Sequence, residues 1–237
     1  MTCVELVCLH HAGGGSASFH PLRRALAASG TDVVPTAVNL PGRESRRDEP
    51  RFVEGDACVR ALAGELDGPL SRPHVLLGYS MGALLAYLLA QHRISHGQRA
   101  PEAVIVVACR APHLPAPLPD IDRLDDHQLA AELARYGGLP TEILSRPEWL
   151  ELLVPTIRDD LRVCRSYRPS GEPPLPCPLH IFGAHADPLV PPDTLTAWSR
   201  YSAQPQPVRL FTGGHFLFRR PDPELVTAVA RVVADAA

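Results

Sequence analysis

Three side chains in this sequence could together turn a hydroxyl into a nucleophile. Ser80 sits in Gly78-Tyr79-Ser80-Met81-Gly82, a Gly-x-Ser-x-Gly run. A serine hydroxyl attacks poorly until a base takes its proton. His215, in Gly213-Gly214-His215-Phe216, lies just past an apolar run and can be that base. Asp187, in Gly183-Ala184-His185-Ala186-Asp187-Pro188, offers a carboxylate to orient the imidazole and stabilise its cation. The chemistry these residue types imply is acyl transfer to water through an acyl-serine. Its tetrahedral intermediate needs N–H donors. One is expected from the backbone of Met81, the residue after the nucleophile. The other is assigned to Ala12, in His10-His11-Ala12-Gly13-Gly14-Gly15-Ser16, whose glycines let backbone approach the site.

Other residues compete less well. His185 precedes the acid and so has the wrong chain order. His92 and His96 lie one helical turn apart, but no third ligand or His-Glu-x-x-His pattern accompanies them, so no metal site is expected. His10 and His11 are adjacent and would point to opposite sides of an extended chain. A phosphate cradle at Gly13-Gly14-Gly15 fails on spacing, because position 18 is serine rather than the last glycine of Gly-x-Gly-x-x-Gly. No cofactor is expected. The sequence contains no lysine, which excludes Schiff-base chemistry and a lysine-dependent phosphate loop.

Such a set works only if the chain carries it to one place. Short apolar runs at residues 4–9, 33–39, 74–78, 104–109, 179–183 and 208–211 read as strands buried on both faces. Helical patterns occupy residues 19–28, 54–66, 83–92, 192–201 and 223–236. Their alternation predicts an α/β fold with a mostly parallel, doubly wound sheet. Ser80, Asp187 and His215 each fall just beyond a strand, and their order along the chain is that of α/β-hydrolases. Residues 111–178 break the rhythm. No strand is apparent there, helical patterns sit near 125–136 and 147–167, and proline-rich stretches flank them. We read 1–110 together with 179–237 as the core, and 111–178 as a helical lid over the strand ends. Two extra packing helices without a gating role are the alternative.

Composition sets outer limits. At 237 residues and 45% apolar content, one large domain with a full core is expected. A net charge of −3 points to neither nucleic-acid nor membrane-surface binding. The cysteines at 3, 8, 58, 109, 164 and 177 are scattered without a Cys-x-x-Cys pair and read as reduced thiols. With no signal-peptide pattern and no apolar run of about 18 residues, a cytoplasmic protein is expected, and a monomer.

The chain resembles the type II (external, editing) thioesterases of polyketide and nonribosomal peptide synthesis over nearly its whole length. The resemblance rests on residues 11–19, on Leu40-Pro41-Gly42-Arg43-Glu44-Ser45-Arg46, and on Gly78-Tyr79-Ser80-Met81-Gly82. It continues through Arg110-Ala111-Pro112-His113, residues 129–138, residues 152–160, residues 183–189 and Gly213-Gly214-His215-Phe216. It departs in carrying three glycines in the first loop, Cys109 in place of a smaller polar residue, and extra prolines at 112–119. The resemblance implies an α/β-hydrolase with a helical lid. It implies hydrolysis of acyl or aminoacyl thioesters from the phosphopantetheine arm of a carrier protein, with Ser80, Asp187, His215 and the Ala12 and Met81 N–H groups at matching positions. A small-molecule carboxylesterase, a product-releasing acyltransferase and an inactive docking protein are the competing expectations. Arg43 reads either as a contact for phosphopantetheine or substrate, or as an arginine tying its loop to a neighbouring carboxylate. Arg135, Arg158, Arg162 and Arg165 read either as a face for an acidic carrier protein or as solvated helix surface.

Overall fold

Strands that are apolar on both faces demand cover on both sides. The computed structural model describes residues 4–118, 120–169 and 171–237. Cys3 lies outside the described residues, as do Pro119 and Ser170 within the segment 111–178. The strands are β1 Glu5–Leu9, β2 Pro35–Ala37, β3 His74–Tyr79, β4 Ala103–Val107, β5 Leu175–Ala184, β6 Ser202–Pro205 and β7 Arg209–Phe211. They form one sheet in the order β2-β1-β3-β4-β5-β6, with β7 also paired to β5, and every pairing is parallel. β6 and β7 lie along successive halves of β5, as two pieces of an interrupted edge.

The helices are α1 His20–Ala28, α2 Gly55–Glu65, the single turn α3 Asp67–Leu70, α4 Met81–Ser95, α5 Asp126–Arg135, α6 Pro147–Ser166, the single turn α7 Pro192–Leu195 and α8 Pro223–Asp235. Strand residues alternate between two cores. Val75, Leu77 and Tyr79 pack with Leu22 and Leu26 of α1 and Leu225 and Val229 of α8. Leu76, Val104 and Val106 pack against Val59 and Leu62 of α2 and against α4. Residues 81–90 of α4 are all buried, as expected for a helix that is apolar all round. Between β4 and β5, α5 and α6 make a third cluster of their own, with Ile121, Leu129, Leu133, Val154 and Ile157 at its centre.

Three expectations are corrected. The strand expected from residue 179 begins at Leu175, inside the segment read as strand-free up to residue 178. Pro176 and Pro178 disguised it. They are tolerated because residues 175–178 pair only with β6, whereas β4 joins from Leu179. β6 was not foreseen, since Ser-Ala-Gln-Pro has no strand pattern and only an edge position accepts it. The helix expected over 192–201 is one turn, α7, followed by a 3-10 segment, Thr196–Tyr201.

A buried ion pair fastens the segment between β4 and β5 to the core. Arg43 donates from Nη1 and Nη2 to Asp160 of α6 at 2.6 and 2.7 Å, and both side chains are buried. The same carboxylate accepts from the Gly13 N–H at 2.7 Å, and Arg43 also reaches the carbonyls of Gly14 and Pro41. Of the two readings of Arg43, the loop-tying one describes what it does here. Arg135, Arg158, Arg162 and Arg165 each meet a carboxylate of their own segment: Glu132, Asp126, Asp122 and Asp120.

Removing one partner of a buried pair strands the other charge. Asp160→Ala is expected to lower stability by about 3–5 kcal/mol, read as a fall in the urea midpoint. The double change Arg43→Met with Asp160→Leu should recover more than half of that loss, because apolar side chains carry no desolvation penalty. A double variant as unstable as Asp160→Ala would show that the pair's hydrogen bonds to the loops matter more than its charges.

Candidate active site

Local geometry begins at Ser80, between β3 and α4. Its φ is 53° and its ψ −114°, in a region that non-glycine residues rarely adopt. The corner is held by the Ser80 N–H donating to the Val107 carbonyl of β4 at 2.8 Å. Its two glycines are required by close approach. A Cβ on Gly78 would collide with backbone of Gly82 and Ala83, and one on Gly82 with the Leu9 carbonyl at the end of β1. Because Gly82 touches the end of β1, the loop that follows β1 is brought against the start of α4.

The loops after β5 and β7 carry the partners. The His185 N–H donates to the Phe211 carbonyl and the Ala186 N–H to the Gly213 carbonyl, which zips the two loops together. His215 Nδ1 lies 2.8 Å from Asp187 Oδ2, and His215 Nε2 lies 3.0 Å from Ser80 Oγ. Asp187 Oδ1 accepts the N–H groups of Leu189 and Val190 at 2.8 and 3.0 Å. Both Asp187 oxygens are thus engaged, and the carboxylate's bond to Nδ1 favours the tautomer that leaves Nε2 free to accept from Ser80. Asp187 and His215 are buried. The structure therefore brings together all three residues picked out by type and chain order. Tyr79 was missed. Its hydroxyl donates to the His215 carbonyl at 2.8 Å from inside the Gly-x-Ser-x-Gly run, though nothing in that motif marks position 79.

Ala12 and Met81 line one cavity with Ser80 and His215. Met81 opens α4, whose first-turn N–H groups have no partner within the helix. The loop bearing Ala12 is held from several sides. The Gly14 N–H donates to the His11 carbonyl at 2.9 Å, and buried His10 Nδ1 donates to the same oxygen at 2.8 Å. The Gly13 N–H is taken by Asp160, and Glu44 accepts from the N–H groups of Ser16 and Ala17. His10, Glu44 and Asp160 had no assigned role in the sequence reading. His11 packs between Tyr79 and Phe216, tilted to the first ring and edge-on to the second, with ring centroids 5.0 and 5.4 Å away. His185 is exposed, while His92 and His96 stack on each other at a helix end. Among the described residues, no group of three or more His, Cys, Asp or Glu side chains is placed to hold a metal ion.

The cavity has a volume of about 710 Å3. Its walls combine Leu84 and Met81 of α4, Leu189 and Val190 beside Asp187, and many residues of the segment between β4 and β5, including Leu114, Leu133 and Ile157. A hydroxyl poised against an imidazole, beside backbone N–H groups and an apolar chamber, can accept an acyl group and pass it to water.

Residues 4–236 match the family model described as a thioesterase domain. The chain is 29% identical over 223 residues to the gramicidin S biosynthesis protein GrsT of Aneurinibacillus migulanus, covering 94% of this chain and 86% of that protein. Among solved structures it resembles the RedJ thioesterase of the prodiginine pathway in Streptomyces coelicolor, at 31% identity and a TM-score of 0.89, covering 98% and 91% of the two chains. It also resembles YbtT, the type II thioesterase of the yersiniabactin NRPS/PKS pathway, at 27% identity and a TM-score of 0.88, covering 99% and 94%.

Two histidines beside the site should tie stability to pH. Burial, with the nearby Arg43 charge, pulls His10 down to about 4. Burial, with its neighbour His10, pulls His11 down to about 3. Between about pH 6.5 and these values the unfolded chain binds protons that the folded chain refuses, so stability falls as pH falls through that window. For His10 alone the loss by about pH 4 is on the order of 3 kcal/mol. His10→Asn, whose amide can still donate to the His11 carbonyl, should flatten the dependence of the urea midpoint between about pH 7 and pH 4. An equally steep dependence in this variant would assign the acid loss to other groups.

Proposed function

The chain belongs to the thioesterase domain family, and on that footing we propose that it hydrolyses acyl thioesters from the phosphopantetheine arm of a carrier protein, as an editing enzyme of a polyketide or nonribosomal peptide synthase. The observation that carries this reading is the chain of contacts from Asp187 through His215 to Ser80, at 2.8 and 3.0 Å. In this reading His215 Nε2 takes the Ser80 proton as Oγ attacks the thioester carbonyl. The N–H groups of Ala12 and Met81 hold the oxyanion. Collapse of the intermediate expels the pantetheine sulfur, which receives the proton from His215. Thiols are far more acidic than alcohols, so sulfur leaves readily. His215 then takes a proton from water, which attacks the acyl-serine and frees the acid and the Ser80 hydroxyl.

The segment at 111–178 acts as the lid in this proposal. Its residues supply much of the chamber wall, from Ala111 to Leu118 and again at Leu133 and Ile157, so its position sets the chamber's shape. No helix among the described residues is long and apolar enough to cross a membrane. We place the enzyme in the cytoplasm, as a monomer meeting its carrier protein in solution.

Ser80→Ala should abolish turnover of acyl-loaded carrier protein and labelling by a fluorophosphonate probe. Asp187→Asn should lower kcat by roughly three to four orders of magnitude, because the wrong imidazole tautomer would then face the serine. An equal or higher kcat/KM on simple oxygen esters than on carrier-bound thioesters would favour a small-molecule carboxylesterase instead. Amide or ester products, read by mass spectrometry, would favour a product-releasing acyltransferase.

A further inference from the structure

The chamber beside Ser80 has a one-sided charge. No aspartate or glutamate lines it, whereas Arg110, Arg165 and Arg168 do. None of the residues outside the described set is acidic. The two buried carboxylates near its walls are already engaged. Asp187 is bonded to His215 and two backbone N–H groups, and Asp160 to Arg43 and Gly13. Arg165 meets Asp120. Arg168 donates to the carbonyls of Arg165 and Tyr167, which cancel no charge. Arg110 lies three residues past the end of β4, donates from Nη1 to the Pro115 carbonyl at 3.1 Å, and buries an Nε that has no partner among the described residues.

The remaining titratable groups on the walls add no negative charge near neutrality. Burial pushes the Cys109 thiol up to about 12 and the Cys164 thiol well above its usual range, and raises the Tyr167 phenol. Burial lowers His11 and His113, which favours their neutral forms. His215 is shared by every substrate. An α-ammonium entering with an aminoacyl group would therefore lose water, find no carboxylate on the chamber lining, and sit near arginine charge.

Resting on the thioesterase reading above, we infer that this chamber selects acyl groups that are neutral or anionic and rejects aminoacyl groups, with Arg110 as the residue that most enforces the choice. Its guanidinium, on the chamber wall and without a carboxylate partner among the described residues, can donate to a carbonyl or carboxylate carried on the acyl chain. The discrimination is opposite to intrinsic reactivity, since an α-ammonium withdraws electrons and activates its thioester.

The test loads one carrier protein with lactyl, alanyl or propionyl groups and compares kcat/KM, each corrected for uncatalysed hydrolysis. Lactyl and alanyl differ by a hydroxyl against an ammonium of similar size. At about pH 6.5, below the usual α-amino range, alanyl is expected to be poorer than lactyl by about tenfold or more. At about pH 8.5 the amine is mostly neutral and the gap should shrink severalfold, while arginine stays charged. Arg110→Gln should narrow the gap at the lower pH. Alanyl turned over as fast as lactyl at about pH 6.5, or a gap indifferent to pH, would overturn the inference. A gap unchanged in Arg110→Gln would overturn the role given to Arg110. Failure to hydrolyse propionyl and lactyl groups as well would instead overturn the thioesterase reading.

Discussion

The contact between Gly82 and the Leu9 carbonyl is the constraint on which the site's geometry depends. It sets the start of α4 against the end of β1 with no side chain between them. Two consequences follow from that single approach. The corner between β3 and α4 must be tight, which drives Ser80 to a φ of 53°. The loop after β1 must also pass beside Ser80, so that Ala12 and Met81 line the same cavity despite lying far apart in sequence. A strained residue persists only where its surroundings over-determine it. Here the surroundings are the ladder of β1, β3 and β4, and the fully buried first turns of α4.

The second constraint is electrostatic. Asp160 gathers Arg43 of the loop after β2, Gly13 of the loop after β1, and its own helix α6 into one buried node. An apolar cluster could join these segments with less desolvation, so net stability does not explain the pair well. What it adds is direction. A carboxylate shared between a guanidinium fork and one N–H fixes the loop at Gly13, where φ is 75° and a Cβ would run into Ile157. Glu44, one residue beyond Arg43, repeats the device at Ser16 and Ala17. The loop bearing Ala12 is thereby held by two neighbouring side chains of another loop.

Much of the core was legible because its signals are local. β3 and α4 are read from an unbroken apolar strand and a helix apolar all round, and the glycines at 78 and 82 mark the turn between them. Ser80, Asp187 and His215 were legible because each follows a strand. The misreadings arose where tertiary position overrides local preference. Pro176 and Pro178 would argue against a strand anywhere but beside a single neighbour, and that is where the sheet puts them. β6 is a strand by position alone. Arg43 was ambiguous because its partner lies 117 residues away. Tyr79 and His10 act through backbone carbonyls, and such contacts leave no pattern in residue type.

The charge of the chamber follows from the same economy of carboxylates. Asp187 must be satisfied to hold one imidazole tautomer, and Asp160 must be satisfied to hold the first loop. Each is spent on a positioning contact and neither projects free negative charge toward Ser80. What remains on the walls is apolar surface, neutral polar groups and arginine. Charge that develops in acyl transfer is negative, first on the carbonyl oxygen and then on the departing sulfur, so a positive surrounding lowers both barriers. The same field raises the energy of any cation brought in with the acyl chain. A carboxylate added to welcome an ammonium would weaken the stabilisation of the oxyanion beside it. Selection against positively charged acyl groups is thus coupled to the catalytic demand itself.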